Sequence, residues 1–274
     1  MTIESNMLTE GVGDILDAVL GGDTDEVLIV GPTRDAIHTL VTVASSHEGD
    51  LPAMKMVADE SLLKDVMDDF IVASNAADLV DAGAFSMRTA DESAENALLV
   101  TEDAVVALVT AGDRVAGLVT TDEEFVAAAR DTYTTQWEEA SEYKLRTPPI
   151  TRVRTSLEDE ISPDARTDFD SVLSSLQTAR GDGDGLDEVT ISLLVAAKNE
   201  VLLYDISKWG EDVGIASKAT FSRTKTKLEE MGLIDTEKVP IDVGRPRLRL
   251  KLGDDRLVTS DPDQLAGVAQ SLLA

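Results

Sequence analysis

Cysteine is missing from the sequence, and this alone excludes disulfides, thiolate nucleophiles and zinc sites built on cysteine. Histidine occurs only as His38 and His47, neither in an HxxxH, HExxH or recognisable Ser-His-Asp setting. Aromatic residues make up 4% of the chain, so the 43% that is hydrophobic rests mainly on Ala, Val and Leu. No stretch approaches the roughly 18 unbroken apolar residues of a membrane helix. The opening "MTIESNMLTEGVGDILDAVL" lacks the basic start of a secretory signal and carries acids within its helical pattern. A cytoplasmic chain with no membrane partner is the expectation. There is no GxxxxGK[ST] phosphate loop, and "GVGDIL" has two glycines with no strand pattern ahead of it, which is not a dinucleotide fingerprint. No cofactor and no enzymatic activity are expected.

Basic residues are also scarce: 24 Lys and Arg stand against 53 Asp and Glu, a formal charge of −29. The acids are spread over nearly every segment rather than gathered in runs, which is the pattern of a hydrated coat and not of a basic-partner patch. Near 1 M salt the Debye length is about 3 Å, so such a coat keeps a protein soluble without self-repulsion. The composition is that of a cytosolic protein of an extreme halophile. In such a coat, carboxylate pairs such as Asp68-Asp69 and Glu138-Glu139 carry little weight as catalytic candidates.

The coat has an edge. From Asp187 to Arg256 there are 12 cations and 13 acids, a net of −1 against −28 for the rest. The edge coincides with "RGDGDGL" at 180–186, a Gly/Asp stretch that reads as a linker, because the later ligands of a calcium loop are missing. Three segments are expected: an α/β sensor or dimerisation domain at 1–145, a connecting helix and linker at 146–186, and a second domain with a C-terminal helix at 187–274.

Before the edge, strands and helices alternate. "DEVLIVGP" and "PAMKMVAD" suit buried strands, separated by a helix with Ile37, Leu40, Val41 and Ala44 at helical spacing. "NALLVTED", "AVVALVTAG" and "RVAGLVTTD" suggest a three-stranded meander, and a closing helix places Phe125, Ala128, Ala129, Thr132 and Trp137 along one side. An α/β layer is the expected architecture. Within 146–186, Arg146, Arg152 and Arg154 form a basic island. Ser162-Pro163-Asp164 then opens a helix whose apolar face, Phe169, Val172, Leu173 and Leu176, packs on a neighbour or makes a dimer contact.

After the edge, "KATFSRTKTKL" at 218–228 holds Lys218, Arg223, Lys225 and Lys227 and no acid. Its flanks give two preceding helices, one with Val189, Leu193, Leu194 and Ala197 inward and one with Ile206, Trp209 and Val213 inward, ending at Gly214. The basic helix itself is expected to turn Phe221, Thr224, Leu228 and Met231 inward. Lys218, Thr220, Ser222, Arg223, Thr226 and Lys227 then face out. "LRLKL" alternates strictly, with Arg247, Arg249 and Lys251 opposite the leucines, and "DVGRP" makes a turn back to "TEKVPI", a hairpin with Arg245 at its tip. Helix, helix, turn, basic helix and hairpin is the order of a winged helix-turn-helix. Carboxylates would be repelled by phosphate, while small hydroxyls and cations can reach bases and backbone in the major groove. The candidate DNA-binding residues are Ser217, Lys218, Thr220, Ser222, Arg223, Thr226, Lys227, Arg245, Arg247 and Arg249. The last helix, "DQLAGVAQSLLA", carries a stripe of Leu265, Val268, Ala269 and Leu272 that serves core packing or a dimer equally well.

"GIASKATFSRTKTKLEEMGLI" resembles the recognition segment of MarR-type and related winged-helix repressors, and "VGRPRLRL" resembles a wing of many archaeal members. The whole pattern is similar to the halophilic-archaeal TbsP-type regulators, proteins linked to the TrmB regulators of sugar metabolism. That resemblance implies a transcription factor of central carbon metabolism that binds double-stranded DNA; the chain is expected to act as a homodimer, with the N-terminal domain either sensing a metabolite effector or holding the dimer together. It also implies a phospholipase-D-like fold for that domain. The HxKxxxxD motif of the active phospholipases is absent, so the implied domain is non-catalytic. Two other classes compete: a protein-interaction module that ignores DNA, and an enzyme in the N-terminal domain.

Overall fold

The computed structural model describes residues 7–9, 11–90, 96–112, 114–181, 185–241 and 246–273. The chain divides into two compact units, Met1–Asp68 with Asn75–Leu145, and Asp69–Ser74 with Arg146–Ala274.

Up to residue 142 the elements run β1 (Met7–Thr9), α1 (Val12–Leu20), β2 (Glu26–Val30), α2 (Arg34–Ser46), β3 (Ala53–Ala58), α3 (Glu60–Val66), α4 (Phe70–Asp81), β4 (Phe85–Thr89), β5 (Ala97–Val100), β6 (Val105–Ala111), β7 (Arg114–Thr120), α5 (Glu123–Glu139) and β8 (Ser141–Glu142), and all belong to the first unit except the start of α4, Phe70–Ser74, which belongs to the second. Among the described residues they form one eight-stranded sheet in the order β1-β7-β6-β5-β2-β3-β4-β8. The parallel core β2-β3-β4 needs crossovers, which α2 and the α3–α4 pair supply. The runs Val27–Val30 and Met56–Ala58 are buried without alternation, as strands covered on both faces require. From β5 to β7 the chain doubles back as the expected antiparallel meander. The edge strand β1, paired with β7, carries no strand signal in the sequence.

Caps fix the helix starts. Thr33 accepts from the Ala36 amide at 3.2 Å to open α2, and Asp122 accepts from Phe125 at 3.0 Å to open α5. The buried side of α5 differs from the expected one. Val126 and Trp137 are buried with Leu28, Val57, Val100 and Val105, and Ala129 and Tyr133 pack beside them, while Ala128 and Thr132 are exposed and Phe125 is 55% exposed. The sequence spacing admits both sides of this helix. The sheet beneath selects the one carrying Val126.

The second unit continues with α6 (Ile150–Glu160), α7 (Pro163–Ser175), α8 (Glu188–Lys198), α9 (Leu203–Val213), α10 (Lys218–Glu230), β9 (Ile234–Val239), β10 (Arg247–Leu252), α11 (Asp255–Val258) and α12 (Pro262–Leu273). Ser162 accepts from the Ala165 amide at 3.1 Å with Pro163 next in line, the cap read from sequence. Residues 146–186, expected as a connection, instead supply Val153, Leu157, Phe169 and Val172 to the core that holds α8 to α12. Phe70 belongs to the same core and meets the Phe169 ring edge-on, with centroids 6.5 Å apart. Asp69, set aside in the sequence as one of many acids, is buried: it accepts from the Ile71 amide at 2.9 Å and from Ala179 at 3.3 Å, with Arg180 at 3.8 Å. The stripe of α12 packs against α7, with Leu265 and Ala269 buried, so it serves the core.

Candidate nucleic-acid interface

Helix α8 is buried on every side from Val189 to Ala197 and forms the post around which the basic segment is built. Helix α9 turns Ile206, Trp209 and Val213 inward, and the Trp209 indole donates to the Ser156 hydroxyl of α6 at 2.9 Å. Gly214 ends α9 with φ +97°, a left-handed position that glycine occupies without steric cost, and the chain re-enters a helix at Lys218. Ser217 caps α10 by accepting from the Thr220 amide at 3.2 Å.

The inner seam of α10 is Phe221, Lys225 and Leu228. Thr224, expected inward, is only half-buried, and Met231, also expected inward, is 40% exposed. Lys225 is 8% exposed because its alkyl stem packs inward while its ammonium donates to Glu229 at 2.7 Å. The other oxygen of Glu229 accepts from the Thr236 hydroxyl of β9 at 2.7 Å, tying α10 to the hairpin. Burial opposes ionisation of Glu229, but the bonds from Lys225 and Thr236 and the nearby ammonium charge outweigh it and hold the carboxyl below its ordinary value.

The outward residues now separate into two sets. Ser217, Lys218, Ser222, Arg223, Thr226 and Lys227 are exposed, with Thr220 half-buried between them. A hydroxyl track joins part of the face: Ser217 and Thr220 lie 3.0 Å apart, and Arg223 donates to Thr220 at 3.4 Å. Lys218 is held by Glu211 of α9, whose carboxylate takes the ammonium at 2.7 Å and the Lys218 amide at 3.3 Å. That pairing raises the Lys218 pKa and lowers the Glu211 pKa. Among the described residues, Arg223 and Lys227 have no carboxylate within ion-pair distance.

The hairpin pairs β9 and β10 in register from Arg247↔Val239 to Leu252↔Ile234, and Leu202 adds a bridge to Arg249. Leu250 is fully buried, as the alternation requires. The opposite side is less free than the sequence suggests. Arg247 lies over the Tyr204 ring at 4.2 Å with Asp205 at 3.4 Å, Arg249 has Glu200 at 3.9 Å, and Lys251 has Glu237 at 2.7 Å. Arg245 lies outside the described residues. The arrangement therefore brings Ser217, Lys218, Thr220, Ser222, Arg223, Thr226 and Lys227 onto one helix, while Arg247 and Arg249 sit on the strand with intramolecular partners. The acids Glu211, Asp205 and Glu200 are the part that sequence reasoning missed. They lie 7, 42 and 49 positions from the cations they meet, and only the first spacing is within reach of a local pattern.

No group of His, Cys, Asp and Glu among the described residues could hold a metal ion. The cavity lined by Leu16, Ile29, Leu40, Leu99 and Leu108 has a volume of about 10 Å³, room for at most a single water and none for a metabolite. No helix among the described residues is long and apolar enough to cross a membrane.

Two family models match the chain. One, described as the N-terminal domain of TbsP-like transcriptional regulators, covers residues 4–148, and the other, their C-terminal helix-turn-helix domain, covers residues 149–270. No curated protein matches. Among solved structures the chain is similar to TrmBL2, an archaeal chromatin protein whose structure shows a novel mode of DNA binding: identity is 14%, TM-score 0.34, and the match covers 52% of this chain and 55% of that one. The chain thus spans about half the length of TrmBL2. It is also similar to Nuc, a phospholipase D family member from Salmonella typhimurium, with 9% identity, TM-score 0.34, and coverage of 50% of this chain and 98% of Nuc.

Proposed function

Since the chain belongs to the TbsP-like transcriptional regulators, a family of regulators and not of enzymes, we propose that it binds specific promoters by laying α10 in the major groove. One observation carries this reading. In a chain of net charge −29, the exposed residues of α10 from Lys218 to Lys227 are cations, small hydroxyls and Ala219, with no exposed acid before Glu230, and among the described residues Arg223 and Lys227 have no carboxylate partner there. Arg223 and Lys227 neutralise phosphates or reach guanine edges, and Ser217, Thr220, Ser222 and Thr226 allow close approach. Lys218 joins them by exchanging Glu211 for phosphate. Arg245, which the sequence places between β9 and β10, is proposed for the adjacent minor groove, with Arg247 and Arg249 contacting the backbone.

The protein works in the cytoplasm of a halophilic archaeon, as a homodimer on a two-fold operator, and its targets are genes of central carbon or sugar metabolism. The N-terminal unit dimerises the chain or senses a metabolite. The test is chromatin immunoprecipitation with the wild type and the Arg223→Ala/Lys227→Ala variant, after confirming that the variant folds and reaches normal levels. Discrete promoter peaks that vanish in the variant support the reading. Absence of enrichment under several carbon sources overturns it in favour of a protein-interaction module.

A further inference from the structure

Helix α9 precedes α10, and its inner side is complete without its outer one. Ile206, Trp209 and Val213 are buried, while Tyr204, Lys208, Glu211 and Asp212 are exposed. Spacings of three and four residues put these four on one face. Tyr204 is the unexpected member. Among the described residues it and Phe125 are the only exposed aromatics, and Tyr204 is 48% exposed, so packing does not account for it.

Three cations from three elements meet around this tyrosine. Arg247 of β10 lies over its ring at 4.2 Å, Lys208 stands one turn along α9, and Lys218 opens α10. The bond to Asp212 raises the Lys208 pKa and the bond to Glu211 raises that of Lys218, and Tyr204 adds to both, so it lies near each. Each cation is held by a carboxylate, and all three carboxylates belong to α9. Asp212 takes Lys208, Glu211 takes Lys218 at 2.7 Å, and Asp205 takes Arg247 at 3.4 Å. Glu160 of α6 acts on Lys208 through its charge.

We infer that Tyr204 and Lys208 form, with Lys218 and Arg247, a station for a stretch of DNA backbone, and that Asp205, Glu211 and Asp212 stand in for its phosphates in the free protein. The station rests on the reading of α10 as the helix in the groove, since the first helix of such a pair crosses the backbone. Exposed ion pairs contribute little and are easily given up. A duplex sets one negative charge per about 1.7 Å of its axis, so its phosphates outcompete isolated carboxylates for all three cations together. Stacking on Tyr204 keeps the Arg247 guanidinium in place while its partner changes.

The exchange also changes the dependence on salt. Neutralised phosphates release counterions, which makes affinity fall as salt rises. Carboxylates set free in the same step draw cations back, and salt weakens the pairs that must break. The station therefore loses less affinity at high salt than cations without partners do. This suits a chain of net charge −29, which approaches DNA readily only when salt screens the repulsion.

Fluorescence anisotropy on the full chain tests the station, from about 0.3 to 1.5 M potassium chloride. The probe is a labelled duplex of a promoter recovered by immunoprecipitation, or a mixed-sequence duplex if none is recovered. Asp205→Asn/Glu211→Gln/Asp212→Asn is expected to bind about tenfold more tightly than the wild type at the lowest salt, the combined effect of three exposed pairs. That advantage should close as salt rises. Asp17→Asn/Glu48→Gln/Asp50→Asn removes the same charge from exposed positions of the first unit and should change affinity less than about twofold. Lys208→Gln and Tyr204→Leu are each expected to weaken binding at least about threefold, with melting by circular dichroism close to the wild type. If the triple variant of α9 melts early, Glu211→Gln/Asp212→Asn leaves the first turn of the helix intact and should gain about fivefold. An α9 variant that binds no better than the charge control overturns the inference. So do Lys208→Gln and Tyr204→Leu chains that bind like the wild type. In either case a wild type that binds its promoter duplex leaves the regulator reading standing. A wild type with no promoter peaks and no affinity for either duplex overturns that reading, and the station with it.

Discussion

The ring of Phe221 occupies the space that a side chain at Gly210 would need: a Cβ at 210 would lie 2.3 Å from two of its ring carbons. This contact seats α10 on α9 and so sets the height of the basic face above the core. Gly210→Ala must push the ring or the helix aside and is expected to cost about 1–3 kcal/mol. Phe221→Ala, which empties the same site, is expected to cost about 3–5 kcal/mol. Gly267 offers the contrast, since nothing lies within 4 Å of its added Cβ on α12. Gly267→Ala should be neutral or stabilise by up to about 1 kcal/mol. Denaturant unfolding of the three variants measures all of this.

Free and paired cations on α10 should behave differently toward DNA. Arg223→Ala and Lys227→Ala are each expected to lower the slope of log affinity against log salt by about one, without changing the melting temperature. Glu211→Gln removes the carboxylate that holds Lys218 and is expected to tighten binding about two- to five-fold, the modest effect of an exposed pair. Fluorescence anisotropy on promoter fragments recovered by immunoprecipitation, titrated with salt, reads both effects. Weaker binding by Glu211→Gln would contradict the exchange of Glu211 for phosphate.

Glu229 makes the hairpin attachment sensitive to acid. Its folded pKa is depressed below the ordinary 4.5, so its contribution is present above that value and is lost as pH falls through the lower folded pKa. Wild type is expected to exceed Glu229→Gln in stability at pH 7 by about 1–3 kcal/mol, because the variant leaves the Lys225 ammonium inside without its carboxylate. Melts from pH 7 down to pH 3 should show that gap closing below 4.5. A gap that stays constant would contradict the assignment.

The second unit should not survive trimming to its helix-turn-helix. A fragment of residues 187–274 lacks Val153, Leu157, Phe169 and Val172, which share the core of α8 and α12, and lacks the Ser156 acceptor of Trp209. It is expected to melt without a cooperative transition. A fragment of residues 146–274 keeps these groups and should melt cooperatively, at a temperature lowered by the loss of Phe70. Circular dichroism on the two fragments checks the expectation.

Local physics made much of this legible. Ser162-Pro163 and Ser217 cap helices as their side chains dictate, the meander of β5, β6 and β7 follows its turn residues, and the alternation of "LRLKL" places Leu250 inside. Helical periodicity alone is ambiguous by about one residue in four. It gave Phe125 and Thr224 where the packing took Val126 and Lys225, because a sheet or a neighbouring helix selects the side and the period cannot.

By itself, then, the sequence determined the strands β2, β3 and β5 to β7 but not β1, β4 or β8, the acid-free segment at 218–228 and the order helix, helix, helix, hairpin, since caps, turns and periods act within a few residues. Tertiary structure decided which of that segment's four cations are available. Glu211 comes from another helix to hold Lys218, and Glu229 with Thr236 draws Lys225 inside, leaving Arg223 and Lys227 without a carboxylate partner among the described residues. The physical reason is distance. Apolar pattern and capping are local terms, whereas pairing of a charge depends on which carboxylate the fold carries to it.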